Sequence, residues 1–115
     1  MKFMLMMHAP RGNGDWGVAE WVPEDVKAMV AYMHDLNKDL KTNGELVSAE
    51  GLTPPSETRI VRAGKNGAPA VTDGPFAETK EFLAGFWIVD VPTAERAYEI
   101  AARASSAPGP GGAPM

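Results

Sequence analysis

Charged side chains of both signs gather in one short stretch of the chain, at Asp73, Glu78, Lys80 and Glu81, and His8 lies near the amino terminus. Histidine titrates near neutral pH, and a neighbouring carboxylate holds its tautomer and raises its basicity. General acid–base catalysis by proton transfer requires this combination. If the fold brings His8 to the acidic stretch, His8 and Asp73 are the candidate catalytic residues of a small-molecule enzyme.

The same side chains also have structural interpretations. An aspartate at the first position of a turn commonly hydrogen-bonds the backbone two residues on, and a Gly-Pro pair follows Asp73 directly. A histidine at the end of a strand more often satisfies a local hydrogen bond. Glu78, Lys80 and Glu81 fit either a solvated approach to a strand or a charged cluster whose lysine holds an anionic ligand. Both interpretations stay open on the residues alone.

Trp16 and Glu50 complete the set of candidate ligand-binding residues. Trp16 lies in a glycine-rich loop, and aromatic side chains on such loops commonly close over apolar ligands. Glu50 lies at the end of a predicted strand. It is either an acid of the site or a carboxylate buried at an interface, where it would need a basic partner such as Arg59 or Lys80.

The elements that must position these residues are predicted from apolar spacing and from proline and glycine. In order, these signals predict a strand at 3–7, a helix from Pro23 to Asn43-Gly44, a strand at 45–52, a hairpin of 59–62 and 70–72 around an Asn-Gly turn, a strand at 82–91, and a helix capped by Thr93. This is the order of an α+β fold, a ferredoxin-like split βαβ arrangement with an antiparallel sheet. In it the first and last strands lie side by side, which brings His8 close to Lys80 and Glu81.

The strand predicted at 82–91 is apolar on both of its alternating faces. Two helices cover only one face of such a sheet, and the domain has no further element for the other face. A second copy of the chain is the simplest cover. The pattern therefore predicts a homodimer whose sheets pack face to face.

The composition limits the classes of protein and partner. A chain of 115 residues with 44% hydrophobic and 23% charged residues is a single globular domain, here 1–107, before a Gly- and Pro-rich segment, 108–115, that is predicted to be a flexible tail. A net charge of −4 argues against nucleic acid as a partner. Without cysteine, and with two separated histidines, neither a metal nor a cofactor is expected. The amino-terminal apolar run is too short for a signal peptide or a membrane span, which predicts a cytoplasmic protein.

Residues 73–81, Asp-Gly-Pro-Phe-Ala-Glu-Thr-Lys-Glu, with Gly85-Phe86 and the Val-Asp-Val-Pro run at 89–92, resemble the signature of the YCII-related family, in its DGPF-domain branch. The resemblance extends through most of the chain, up to about Ser105. It implies a dimeric α+β barrel of ferredoxin-like subunits, bacterial and cytosolic, and mostly of uncharacterised function. Some relatives in the wider family are lyases or isomerase-like enzymes that are thought to use a histidine and an aspartate.

Two classes of function follow from the residues and the resemblance. The first is a small-molecule lyase or isomerase, with His8 as acid or base, Asp73 as its partner and Trp16 over the pocket. The second is a non-catalytic ligand-binding or regulatory module. The resemblance implies a sigma factor of the extracytoplasmic-function type as a candidate partner of such a module, because DGPF-type genes often lie beside genes for these factors.

The carboxyl terminus departs from the family pattern. Members usually end in a further strand after the second helix, whereas this chain ends in glycine and proline. Without that strand, the first strand is expected at an unpaired, apolar edge of the sheet, which is an aggregation hazard. We therefore expect that a partner segment fills the edge or that the native protein is longer.

Overall fold

The computed structural model describes residues 1–10, 21–76 and 78–113. These residues form a three-stranded sheet, a separate two-stranded hairpin and two α-helices. In chain order the elements are β1 (Lys2–Pro10), α1 (Pro23–Thr42), β2 (Leu46–Gly51), β3 (Arg59–Ala63), β4 (Pro69–Asp73), β5 (Glu81–Asp90) and α2 (Ala94–Ser105). This order confirms the predicted α+β, ferredoxin-like arrangement.

Both helices begin where their sequence signals lie. Pro23 occupies the first turn of α1 and Lys41 the last turn, the ends at which a fixed φ and a positive charge are favoured. The hydroxyl oxygen of Thr93 caps α2 by accepting a hydrogen bond from the backbone N–H of Arg96 at 3.2 Å. Neither helix of the described chain is long and apolar enough to span a membrane.

β5 is the central strand of the three-stranded sheet and pairs antiparallel with β1 on one side and with β2 on the other. The register places His8 opposite Leu83 and Pro10 opposite Glu81. The predicted pairing of the first and last strands is confirmed, and β1 lies at the edge of the sheet. β1 extends further than predicted, to Pro10, because proline is tolerated at the end of an edge strand.

The hydrophobic core lies between this sheet and the two helices. Leu36 of α1, Ile100 of α2 and Val89 of β5 are almost fully buried in it. Alternate residues of β1 pack against this cluster, as expected for a strand with one face on the core; they are Phe3, Leu5 and Met7.

The opposite face of the sheet carries apolar side chains that neither helix covers. Met4 and Met6 of β1 are 52% and 58% exposed. They lie opposite Ile88 and Phe86 of β5 in the register. The sheet therefore has the two apolar faces that the pattern of its longest strand predicts.

β3 and β4 form a hairpin that does not pair with the three-stranded sheet. At its turn Asn66 and Gly67 both adopt positive φ angles, 60° and 77°, as the predicted Asn-Gly turn requires. Val61 and Val71 lie opposite each other in the hairpin and are 59% and 56% exposed. The radius of gyration of 16.6 Å exceeds the roughly 13 Å expected for a compact domain of this length, which agrees with a hairpin that projects from the three-stranded sheet.

Residues 108–113 belong to the segment that is predicted to be a flexible tail, and they lie against α1. A 3₁₀ turn forms at Pro110–Gly112. The backbone N–H of Gly111 donates a hydrogen bond to Asp25 Oδ2 of α1 at 3.1 Å. The flexibility of this segment in solution stays a prediction.

Candidate functional site

A cavity of about 420 Å³ lies along β1, between that strand and α2. Met4 to His8 line it on the strand, Trp87 lines it on β5, and small residues line it on the helix: Ala101, Ala104 and Ser105. Because these helical residues are small, α2 leaves space where a larger side chain would pack on the strand. Among the described residues of this lining, His8 carries the ionisable side chain.

A β-bulge lies on β5, opposite the step from Met7 to His8 on β1. Met7 lies opposite Gly85, whereas His8 lies opposite Leu83, so the register shifts between these two neighbours. Bulges commonly redirect a side chain next to a functional site. Ala84 is the extra residue of β5 at this step, and the side chain of His8 on the facing strand is exposed.

The charged stretch approaches the same end of the sheet. Glu81 is the first residue of β5 and lies opposite Pro10, two positions along β1 from His8. Glu78 and Lys80 precede it, and all three side chains are exposed. Among the described residues no hydrogen bond or ion pair joins His8 to a carboxylate, so the joint action of His8 with these charges stays a prediction.

Asp73 lies at the end of β4, in the hairpin. Its side chain is 96% exposed, and its carboxylate lies 3.6 Å from Arg59 Nε on β3. The next residue closes a turn: Gly74 N–H donates to the carbonyl of Thr58 at 3.0 Å, and a Cβ at Gly74 would lie 2.9 Å from Thr58 Cγ2. The Gly74–Pro75 peptide bond is cis. These contacts give the Asp-Gly-Pro stretch a structural role, whereas pairing of Asp73 with His8 stays a prediction.

Two further candidate residues have different outcomes. Trp16 lies outside the described residues. Glu50 is exposed and lies opposite Phe86, on β2. Within the described part of the chain no ion pair joins it to Arg59 or Lys80, the partners that the sequence suggested.

A second cavity, of about 270 Å³, lies between α1 and the strands β2 and β5. Sequence reasoning missed it, and with it Asn37, whose Oδ1 accepts a hydrogen bond from Trp87 Nε1 at 2.8 Å. One sequence signal could have indicated the cavity. Met29 and Met33 are four residues apart on one face of the helix, above the glycines of β2 and β5.

A two-bond contact between an arginine and a glutamate lies away from both cavities, between α2 and the residue just before β2. Arg96 donates two hydrogen bonds to Glu45, Nε to Oε2 at 2.7 Å and the terminal nitrogen Nη2 to Oε1 at 2.9 Å. The hydrogen bond from Arg96 and its positive charge lower the pKa of the Glu45 carboxyl, although partial burial opposes this. The same contact raises the pKa of Arg96. This pair holds α2 in place over the sheet.

No cluster of three or more histidine, aspartate or glutamate residues within 1–10, 21–76 and 78–113 has the arrangement of a metal site. The residues on which the candidate site rests are the mostly apolar lining of the first cavity and His8, with the charged residues at the same end of the sheet.

The sequence is similar to a known protein family and to an uncharacterized protein. The family model of the YCII-related domain matches residues 1–109. An uncharacterized protein of Rhizobium meliloti (strain 1021) is 28% identical over 95 residues, which cover 83% of this chain and 76% of the relative. Because the family model covers almost the whole chain, the chain belongs to the YCII-related domain family.

Proposed function

We propose that this YCII-related protein binds a small molecule in the cavity beside α2 and moves a proton on it through His8, as a lyase or an isomerase. The observation that carries the proposal is the position of His8, an exposed titratable side chain in the lining of an otherwise mostly apolar cavity. A volume of about 420 Å³ lies within the roughly 300–1,000 Å³ of small-molecule sites.

The chemistry follows from the imidazole. A neutral His8 takes a proton from a carbon next to a carbonyl group, and the resulting imidazolium returns it to another atom of the same substrate, which completes an isomerisation. In a lyase the returned proton goes to the leaving group instead. Lys80 is the candidate group for an anionic end of the substrate, because a lysine binds carboxylates as a point charge.

Asp73 is the proposed partner of His8. Its present ion pair with Arg59 is long, at 3.6 Å, and exposed, and such pairs contribute little free energy. The carboxylate is therefore free to exchange partners at low cost. Trp16 is the proposed lid, and Glu50, Glu78 and Glu81 are further proposed ligand-binding groups.

We further propose that two copies associate in the cytoplasm through the open face of the sheet. Met4 and Met6 are more than half exposed there. Burial of apolar surface is favourable at about 25 cal/mol per Å², and two sheets pack face to face at about 10 Å. Apolar pairs repeat along β1 and β5 on this face, and a twofold contact would bring the same face of both copies together.

A second candidate is a binding or regulatory module without turnover, which could dock a partner such as a sigma factor. The ion pair of Asp73 with Arg59 favours this second candidate. Asp73 is paired with Arg59 and not with His8, and in the described chain no hydrogen bond joins His8 to a carboxylate that would orient it. The exposed valines of the hairpin, Val61 and Val71, supply a small apolar surface for such a partner.

Proton transfer can be measured directly with acetoacetate, a small enolisable anion, in deuterated water. The enzyme proposal expects that the protein accelerates exchange of the methylene protons and that His8→Gln removes the acceleration. His34→Gln is the matched control, because His34 is exposed on α1 and does not line the cavity. Acetoacetate binding without accelerated exchange would favour the module, and retained acceleration in His8→Gln would exclude His8 as the proton carrier.

The partner role of Asp73 is tested by Asp73→Asn in the same assay. Slower exchange with an unchanged melting temperature is the expected result. A loss of folded protein with exchange intact in the remaining folded fraction would assign Asp73 to the turn alone.

A further inference from the structure

The second cavity, between α1 and the strands β2 and β5, is separate from the proton-transfer site. Its volume is about 270 Å³, and it lies under α1, whereas the cavity with His8 lies under α2. Met7 and Trp87 line both cavities and therefore lie between them. Of the residues named in the proposed function, His8 lines only the first cavity and Glu50 only this second one.

Its floor is open because two glycines meet there. Gly51 of β2 lies opposite Gly85 of β5, and neither has a side chain that could fill the space below the helix. A Cβ at Gly85 would lie 2.8 Å from the carbonyl oxygen of Glu50, so this position cannot carry a side chain without a shift of the backbone. A Cβ at Gly51 would have no atom within 4 Å, which identifies free space above β2.

Its walls are mostly apolar and adaptable. Met29 and Met33 of α1 and Met7 of β1 line it together with the indole of Trp87. Methionine side chains are flexible and polarisable and make favourable contacts with aromatic rings. The walls can therefore adjust to a flat, apolar ligand.

A hydrogen-bond donor is left unpaired at this wall. The indole N–H of Trp87 can only donate, so the atom of Asn37 that it meets at 2.8 Å is the carbonyl oxygen, and the two N–H groups of the amide remain. Among the described residues these N–H groups have no partner. In the same residues every fully buried polar side-chain atom has a hydrogen-bond partner. The amide nitrogen of Asn37 has none for its N–H groups, so it is not fully buried, and Asn37 lines the cavity.

We propose that this cavity binds a small, uncharged, mostly apolar carbonyl compound, whose carbonyl oxygen accepts a hydrogen bond from Asn37 Nδ2. A cavity of roughly 150 Å³ holds benzene, so about 270 Å³ accommodates a phenyl ring with a short carbonyl substituent. In the described part of the chain no cationic side chain lines the cavity, and its charged residue is Glu50, whose side chain is exposed. A carboxylate ligand would therefore be desolvated without a compensating charge, which is costly.

The test compares acetophenone with ethylbenzene, which has a similar shape but lacks the carbonyl oxygen. Both are titrated into the full chain, and binding is followed by two-dimensional ¹⁵N–¹H NMR at the side-chain amide of Asn37 and the indole N–H of Trp87. Acetophenone is expected to shift both signals to saturation and to bind about fivefold more tightly than ethylbenzene, the value of one net hydrogen bond. Benzoate is expected to bind at least as weakly as ethylbenzene.

Two variants separate the hydrogen bond from the cavity. Asn37→Asp keeps an oxygen for the indole N–H and removes both donors, so acetophenone is expected to bind no better than ethylbenzene. Gly51→Val fills the free space above β2 with a residue that strands favour, so both probes are expected to lose binding. Circular dichroism melting curves establish that each variant is folded. If Asn37→Asp does not fold, the affinity ratio of acetophenone to ethylbenzene in the wild type tests the hydrogen bond, and Gly51→Val tests the cavity.

Three results would overturn the proposal. Equal affinities for acetophenone and ethylbenzene would exclude the hydrogen bond from Asn37. Binding of benzoate as tight as that of acetophenone would exclude the uncharged class. Shifts centred on His8, with the Asn37 amide unchanged, would place the probe in the other cavity. The last result would leave the proton-transfer proposal intact, so the two proposals fail independently.

Discussion

The contact between Arg96 and Glu45 yields a quantitative prediction. The side chain of Glu45 is 14% exposed and that of Arg96 35% exposed, and two hydrogen bonds of 2.7 and 2.9 Å join them. Hydrogen bonds to charged groups contribute about 1.5–3 kcal/mol when well shielded, and solvent around Arg96 reduces this value. We therefore expect that Glu45→Gln lowers the free energy of unfolding by about 1–2 kcal/mol.

The pH dependence of this loss has a definite sign. Arg96 lowers the pKa of Glu45 in the folded state below its ordinary value of 4.5, while an arginine stays protonated throughout. A carboxyl group with a lowered folded pKa contributes stability that is complete above its unfolded pKa and is lost as the pH falls through the folded pKa. The difference between the wild type and Glu45→Gln is therefore expected to be constant between pH 6 and 7 and to shrink below about pH 4.5.

The assay is urea denaturation followed by circular dichroism, at one protein concentration and at several pH values. Glu99→Gln is the matched control, because Glu99 Oε2 also accepts a hydrogen bond from Arg96, at 2.9 Å, but its side chain is 67% exposed. Its loss is expected to cost at most about 0.5 kcal/mol. Equal destabilisation by both variants, or a Glu45→Gln effect that persists unchanged at pH 3, would refute the reasoning.

Three other positions yield predictions from the same structure. Met6→Lys is expected to convert the proposed dimer to monomer, because burial of each half-exposed methionine contributes about 1–2 kcal/mol. Light scattering after size exclusion measures the mass, and a retained dimer would exclude this face as the interface. Gly74→Ala is expected to lower the melting temperature, since its Cβ would lie 2.9 Å from Thr58 Cγ2. The expected loss in the free energy of unfolding is about 1–3 kcal/mol, and an unchanged melting curve would contradict this. Asn66→Val is expected to destabilise the hairpin by about 1–2 kcal/mol, because φ at this position is +60°. Amide hydrogen exchange in β3 would report the loss of stability, and unaltered protection of these amides would contradict the prediction.

The elements that sequence predicts well are those with local signals. α1 begins at Pro23 because a proline with fixed φ and acids in the first turn favour a helix start. The hairpin turn lies at Asn66-Gly67 because these two residue types reach positive φ easily. The antiparallel pairing of β1 with β5 follows from the order of the elements, and it confirms the position of β1 beside the strand that carries Glu81.

The second cavity could not be predicted because it depends on contacts between distant segments. Asn37 and Trp87 are 50 positions apart and meet by one hydrogen bond. Periodicity shows only that Asn37 follows Leu36 at the margin of the apolar stripe of α1. The opposition of Gly51 and Gly85 depends on the register of β2 against β5, which a bulge shifts and which local patterns do not specify.

Gly85 connects the geometry of the fold with that of the second cavity. Its missing side chain lets β2 approach until a Cβ would lie 2.8 Å from the Glu50 carbonyl oxygen, and this leaves the floor of the second cavity bare. On its other side Gly85 lies opposite Met7, at the point where the bulge begins and the register of His8 changes. A side chain at Gly85 would therefore disturb β2 and the glycine floor together. The shape of the second cavity thus depends on a residue that carries no chemistry of its own, which is why the charged residues of the sequence did not indicate that cavity.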